Sequence, residues 1–244
     1  MIPEPSGPNG PVLGVLGGMG PQASAWFMMR LAALMPAATE QDHVPAVLWS
    51  DPRIPDRPAG RAGTGPDPWP WLLRGVQGLE QAGVGAIVMP CNTAHLWYER
   101  LCAATALPFL HIVHAVVDDL ARKGVNHGRI GLLGTATTLS LGLYQRELEA
   151  RGYDCLLLDE AEHARYCAPP IALVKANKED EAFAPAAQAL QILRDRGADA
   201  VVLGCTELPL ALPPARRTEL DAVISDSIDA LALAAIAWHA GARV

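Results

Sequence analysis

The sequence states one plan twice. GVLGGMG at 14–20 is echoed by GLLGTAT at 131–137, and AGVGAIVMPCNT at 82–93 by RGADAVVLGCTE at 196–207. Their offsets are 117 and 114 residues, so Gly83 meets Gly197, Ala86 meets Ala200, Val88 meets Val202 and Cys91 meets Cys205. Each unit has a short apolar run, a turn, and then a stretch of helical spacing. Short apolar runs alternating with longer helical patterns predict parallel strands joined by crossover helices. The expected fold is therefore α/β, with two similar lobes whose parallel sheets are related by a pseudo-two-fold axis. In such sheets ligands lie beyond the carboxyl ends of the strands. The active site is accordingly expected in the cleft between the lobes.

The joint falls near residues 120–128. Residues 1–11 read as a loose leader, 12–120 as the first lobe and 121–227 as the second, with a terminal helix near 228–240 free to pack back on the first. Strands are expected at 12–17, 44–49, 86–89, 109–112, 129–133, 153–158, 200–203 and 223–225. Helices are expected at 22–35, 69–82, 92–105, from 112 to 123, and at 140–151, 177–196 and 230–240. The segment 51–68, dense in glycine and proline, is expected to be a long loop, of the kind that is either functional or disordered.

Composition narrows the partner. Nineteen basic residues against 26 acidic ones leave a net charge of −7, which disfavours a nucleic-acid or anionic-membrane surface. No apolar window is long enough to span a bilayer, and MIPEPSGPNG lacks the basic and apolar regions of a secretion signal. Five cysteines, at 91, 102, 155, 167 and 205 with no C-x-x-C, suit a reducing cytoplasm better than a disulfide framework. The expected partner is a small molecule.

Cys91 and Cys205 carry the chemistry. Each follows an apolar run and precedes a helix-like stretch, where free amide N–H groups favour a thiolate. One thiolate and one thiol facing across a cleft form a base–acid pair. A substrate C–H between them could lose its proton to one sulfur and gain another from the opposite face. Cys102, Cys155 and Cys167 lack such pairing and read as structural. His95, four residues after Cys91, could orient the thiol or a substrate carboxylate; His111 and His114 read as local structure. Cys91/His95 and Cys167/His163 have helical spacing but no third ligand, so no metal is expected.

Gly18-Met19-Gly20-Pro21-Gln22-Ala23 fits a loose dinucleotide pattern, but Pro21 has no N–H to offer a phosphate. These glycines more simply permit close approach of a small ligand beside Met19. Arg57, with Arg53 nearby, offers a fork suited to a carboxylate. Lys175 is a second candidate cation. Thr93, Thr135, Thr137, Thr138 and Thr206 could supply hydroxyls to a carboxylate, although capping is an equally simple role for each. Glu207 could accept an ammonium group or cap the next helix.

Together GVLGGMGP at 14–21, IPDR at 54–57, MPCNTAH at 89–95, GLLGT at 131–135 and GCTE at 204–207 resemble the cofactor-independent aspartate/glutamate racemase superfamily. The similarity is to its aspartate racemase and broad-specificity amino-acid racemase branch, over residues 12–240. The resemblance implies that Cys91 and Cys205 are the two acid–base residues. It implies that Arg57 and Lys175 meet the distal carboxylate of an acidic substrate. It places Asn92, Thr93 and Thr206 around the α-carboxylate or amino group. It also implies two lobes and frequent homodimerisation, without pyridoxal phosphate or metal.

Where aspartate racemases often read Asn-Asn-Pro-Gln, this chain has Ser50-Asp51-Pro52-Arg53, which changes the charge pattern beside the substrate loop. Two other activities share the cleft logic. One is isomerisation or decarboxylation of a small dicarboxylate such as maleate; the retained cysteine pair argues against single-cysteine decarboxylases. The other is a non-catalytic amino-acid binding domain.

Overall fold

A computed structural model describes residues 10–241. The expected leader falls outside the described residues except for 10 and 11. The first half runs β1 (Leu13–Gly17), α1 (Pro21–Leu34), β2 (Ala46–Ser50), α2 (Arg57–Ala62), α3 (Trp69–Gln81), β3 (Ala86–Val88), α4 (Tyr98–Cys102), β4 (Phe109–Leu110) and α5 (Ile112–Arg122). The second runs β5 (Gly128–Leu133), α6 (Ala136–Ser140), α7 (Leu143–Glu149), β6 (Tyr153–Leu156), α8 (Glu160–Glu162), α9 (Ala168–Lys175), α10 (Glu179–Asp195), β7 (Ala200–Leu203), α11 (Leu208–Ala211), β8 (Ile224–Asp226) and α12 (Ser227–Gly241).

The repeat is a topological one. Each half forms a four-stranded parallel sheet, in the orders β2-β1-β3-β4 and β6-β5-β7-β8. β1, β3 and β7 are buried along their whole length, which is why they read as unbroken apolar runs rather than alternating ones. Leu13, Val15 and Val88 of the first sheet share one core with Ile130, Leu132 and Val202 of the second and with Ile228, Leu231 and Ala235 of α12. α12 follows the second sheet but packs on α1 and α5 of the first half.

An ionic strap fixes that return. Asp226, at the end of β8, is buried and accepts from the backbone N–H groups of Ile228 and Asp229 at 2.8 and 3.2 Å, capping α12. Its carboxylate also pairs with Arg217, and Arg30 of α1 grips Asp229 with two bonds of 2.6 and 3.0 Å. Removing the buried carboxylate takes the cap from α12 and leaves Arg217 only the longer carboxylate contact, with Asp229 at 3.8 Å. Asp226→Ala is therefore expected to lower unfolding stability by about 3 kcal/mol, read from a urea midpoint. An unchanged midpoint would contradict this.

Three expectations are revised. The segment 51–68 is not all loop: Asp56 accepts from the Ala59 N–H at 2.9 Å and starts α2, with Pro58 in its first turn and Gly63 ending it at φ 70°. The helix expected over 92–105 is a 3₁₀ segment, Thr93–Trp97, followed by α4. The one expected over 140–151 starts only at Leu143, as α7, and Gly142, at φ 64°, separates it from α6, which forms from the polar stretch before it. Residues 160–175, given no element above, form α8, one π-helical turn (His163–Cys167) and α9. Among the described residues no helix is long and apolar enough to cross a membrane.

Candidate active site

The carboxyl ends of both sheets meet at a small cavity of about 20 Å³, lined from the two halves. Met19 comes from the turn after β1, Asp56, Arg57 and Pro58 from the start of α2, and Cys91, Asn92 and Thr93 from the turn after β3. Thr135 follows β5, Lys175 ends α9, and Cys205, Thr206 and Glu207 follow β7. The glycine turn makes this closeness possible. Gly18 sits at φ +93°, and a Cβ there would lie 2.4 Å from the Asp51 backbone nitrogen.

A wider recess of about 440 Å³ opens outside and shares Asp56, Arg57, Lys175 and Glu207. At its rim Gln22 donates through Nε2 to Asn177 Oδ1 and Glu179 Oε1, both at 2.6 Å, tying one lobe to the other. The inner space alone holds about one water, and the recess outside it continues along Arg57, Lys175 and Glu207.

Both cysteines are buried, at 5% and 4% exposure, and they occupy equivalent turns of the repeat. Burial pushes both thiols up, against the thiolate expected from local backbone alone. Loss of hydration on burial is the largest cause, and the short elements that follow do little to offset it. The 3₁₀ segment after Cys91 has five residues and α11 four, so little macrodipole accumulates.

Their surroundings then separate them. At Cys91 the Arg57 charge and the Ala94 N–H oppose the effect of burial, while Glu207 adds to it by less than Arg57 takes away. At Cys205 the Glu207 carboxylate reinforces it, accepting the thiol hydrogen at 3.0 Å, and Cys205 is held well above the usual thiol range. Lys175 favours the thiolate at both. Cys91 is thus the easier of the two to ionise and Cys205 the better-held thiol.

The charged lining is equally specific. Arg57 Nη1 donates to the carbonyls of Ile54 and Pro55 at 3.1 and 2.9 Å, which locks the guanidinium, while its buried Nε has no protein partner. That unpaired donor edge suits a carboxylate. Glu207 is 5% exposed and receives only the Cys205 thiol and the Thr206 hydroxyl (3.4 Å) as hydrogen-bond donors among the described residues. Thr93 Oγ1 lies 3.2 Å from Thr135 Oγ1 and 3.0 Å from Thr138 Oγ1, so hydroxyls from both lobes form one cluster.

Several candidates stand elsewhere. Thr138 is fully buried behind the cavity, and Thr137 is outside its lining. His95 donates from Nδ1 to the Cys91 carbonyl (2.9 Å), because its Nε2 accepts the Ile112 N–H (3.1 Å). Burial pulls its pKa down to about 3, so it pins the cysteine turn as a neutral ring and offers no proton to substrate. Arg53, 72% exposed, turns back to bind Asp51 at 2.8 and 2.9 Å. That arginine holds Asp51 below the usual carboxylate range, and the added charges cancel each other away from the cavity. Ser50 is exposed beside them, at the end of β2. Sequence reasoning missed Asp56 and Pro58, although both adjoin Arg57. Among the described residues no group of three or more His, Cys, Asp or Glu side chains is placed to hold a metal.

A sequence profile of the Asp/Glu/hydantoin racemase family matches residues 16–235. The broad-specificity amino-acid racemase RacX of Bacillus subtilis is 28% identical over 210 residues, spanning 82% of this chain and 87% of that one. The glutamate racemase of Persephonella marina is 29% identical over 158 residues, 64% of this chain and 58% of its own length. Among solved structures, Picrophilus torridus aspartate racemase matches at a TM-score of 0.84 with 30% identity over 95% of each chain. The glutamate racemase of Francisella tularensis, 17% identical, shares the fold at a TM-score of 0.63 over 96% of this chain and 83% of that one.

Proposed function

Because the chain belongs to the Asp/Glu/hydantoin racemase family, we propose that it inverts Cα of a free acidic amino acid, aspartate in first place. Cys91 and Cys205 act as base and acid on opposite faces of Cα, without pyridoxal phosphate or metal. The observation that carries this reading is the pair of buried cysteines on one cavity, at equivalent turns, with Arg57 set against burial at Cys91 and the Glu207 carboxylate bonded to Cys205.

In this mechanism the Cys91 thiolate takes the Cα proton from one face while the Cys205 thiol delivers its own to the other. The product leaves Cys91 as thiol and Cys205 as thiolate, and the opposite enantiomer reacts by the reverse transfer. Burial serves the chemistry, because a thiolate of raised pKa is a stronger base towards a weakly acidic C–H. The α-carboxylate meets the hydroxyls of Thr93, Thr135 and Thr206, where developing enolate charge is stabilised by fixed donors. Arg57 and Lys175 receive the side-chain carboxylate, and Glu207 receives the ammonium. This charge pattern complements two carboxylates and one ammonium, and aspartate is placed first because the aspartate racemase of Picrophilus torridus matches over 95% of both chains.

Chiral chromatography of L- and D-aspartate incubated with purified, cofactor-free protein tests the activity. Both are expected to converge on the same racemic mixture; failure of either enantiomer to convert would contradict the reading. A separate prediction concerns the acid–base asymmetry. Glu207 raises the Cys205 pKa by charge and hydrogen bond, so Glu207→Gln is expected to move it down. In a Cys91→Ala background, the pH midpoint for alkylation of Cys205 should fall, and an unmoved midpoint would refute the coupling.

A further inference from the structure

We infer that Tyr144 is a positioning residue that sets the separation of the two cysteine turns by bridging them across the cleft. The inference rests on the two-cysteine reading and deepens it. Tyr144 is fully buried on α7, in the second half. Its hydroxyl donates at 2.5 Å to Oδ1 of Asn92, the residue after Cys91. The Asn92 carboxamide donates in turn to Ser227 Oγ at 3.1 Å, at the start of α12. The Tyr144 ring meanwhile lies against Gly204, the residue before Cys205, where a Cβ would come 2.9 Å from Tyr144 Cε2.

One stiff side chain therefore touches the residue that follows one cysteine and the residue that precedes the other. The repeat has Pro90 where the second unit has Gly204, and only the glycine lets an aromatic ring rest on the turn. Asn92, the counterpart of Thr206, is held through both ends of its amide by groups from beyond residue 140. Burial raises the Tyr144 pKa, so the phenol stays a donor and carries no proton through the cycle. Two-base transfer needs both sulfurs on opposite faces of one carbon at once, a geometry in which an error of about 1 Å costs on the order of 100-fold.

Tyr144→Phe keeps the ring on Gly204 and removes the hydroxyl, with its bond to Asn92 and its interaction with Ser227. For both enantiomers kcat is expected to fall about tenfold, with KM within about twofold and both limbs of the pH–rate profile unmoved. Amide hydrogen exchange is expected to quicken in 89–95 and 203–208 and to stay unchanged elsewhere. Ser227→Ala loosens the same strap from its far end and should shift both readouts in the same direction by less. Unchanged kcat per folded enzyme, a loss confined to KM, or disappearance of a pH limb would overturn the positioning role. If the unmodified protein inverts no amino acid, the racemase reading fails on that result. The exchange rates still judge the bridge: unquickened cysteine turns in both variants would refute it.

Discussion

Cys91→Ala and Cys205→Ala are each expected to cut racemisation of either enantiomer by about 1,000-fold or more, while the chain stays folded. The reasoning is symmetrical. Removing Cys91 deprives one direction of its base and the other of its acid, and removing Cys205 does the same in reverse. Serine is a gentler test. Its hydroxyl is a poor base near neutral pH, so each serine variant should keep only a trace of activity, and because both directions share one transition state kcat/KM should fall equally for the two enantiomers. Separate assays from L- and D-aspartate read this out. Near-normal turnover by either alanine variant would end the two-base account.

The second large effect concerns Arg57. Its Nη1 is spent on the Ile54 and Pro55 carbonyls, and its buried Nε has no protein partner. Arg57→Ala should therefore lower kcat/KM for aspartate by about 100-fold, equivalent to roughly 2.7 kcal/mol, the scale of a truncated hydrogen-bonded charge pair. For a neutral amino acid such as alanine the loss should stay within about threefold. Arg57→Lys keeps the charge but not the locked fork, and should fall between. Equal losses for acidic and neutral substrates would remove Arg57 from side-chain selection and leave it as a support of the α2 turn.

What could be read from the sequence follows from where the constraints lie. The inner strands β1, β3 and β7 are buried throughout, so burial wrote itself into LGVLG, AIV and AVVL. The cysteine pair was legible because the repeat copied its turn, not because a cysteine after a strand is unusual. Charge in a loop was less informative. Arg53 and Arg57 look alike in sequence, yet Asp51 draws one outward while backbone carbonyls fix the other at the cavity.

The acid–base balance was misjudged from local structure alone. Free amides do reach each sulfur, but burial opposes them, and the element after each cysteine is too short for a strong dipole. Glycine and proline hid α2, although Asp56 and Pro58 are ordinary helix-start residues. Tyr144 left no local signal, since its contacts with Asn92 and Gly204 span 52 and 60 residues of chain.

The central claim is that one cysteine removes the Cα proton while the other supplies a different one. Proton NMR of L-aspartate conversion in D₂O, resolved by chiral chromatography at early times, tests it directly. The account predicts that newly formed D-aspartate carries deuterium at Cα while the remaining L-aspartate keeps its hydrogen, with the mirror result from D-aspartate. Deuterium appearing in the starting enantiomer as fast as in the product would mean that one base serves both faces, and would contradict the account.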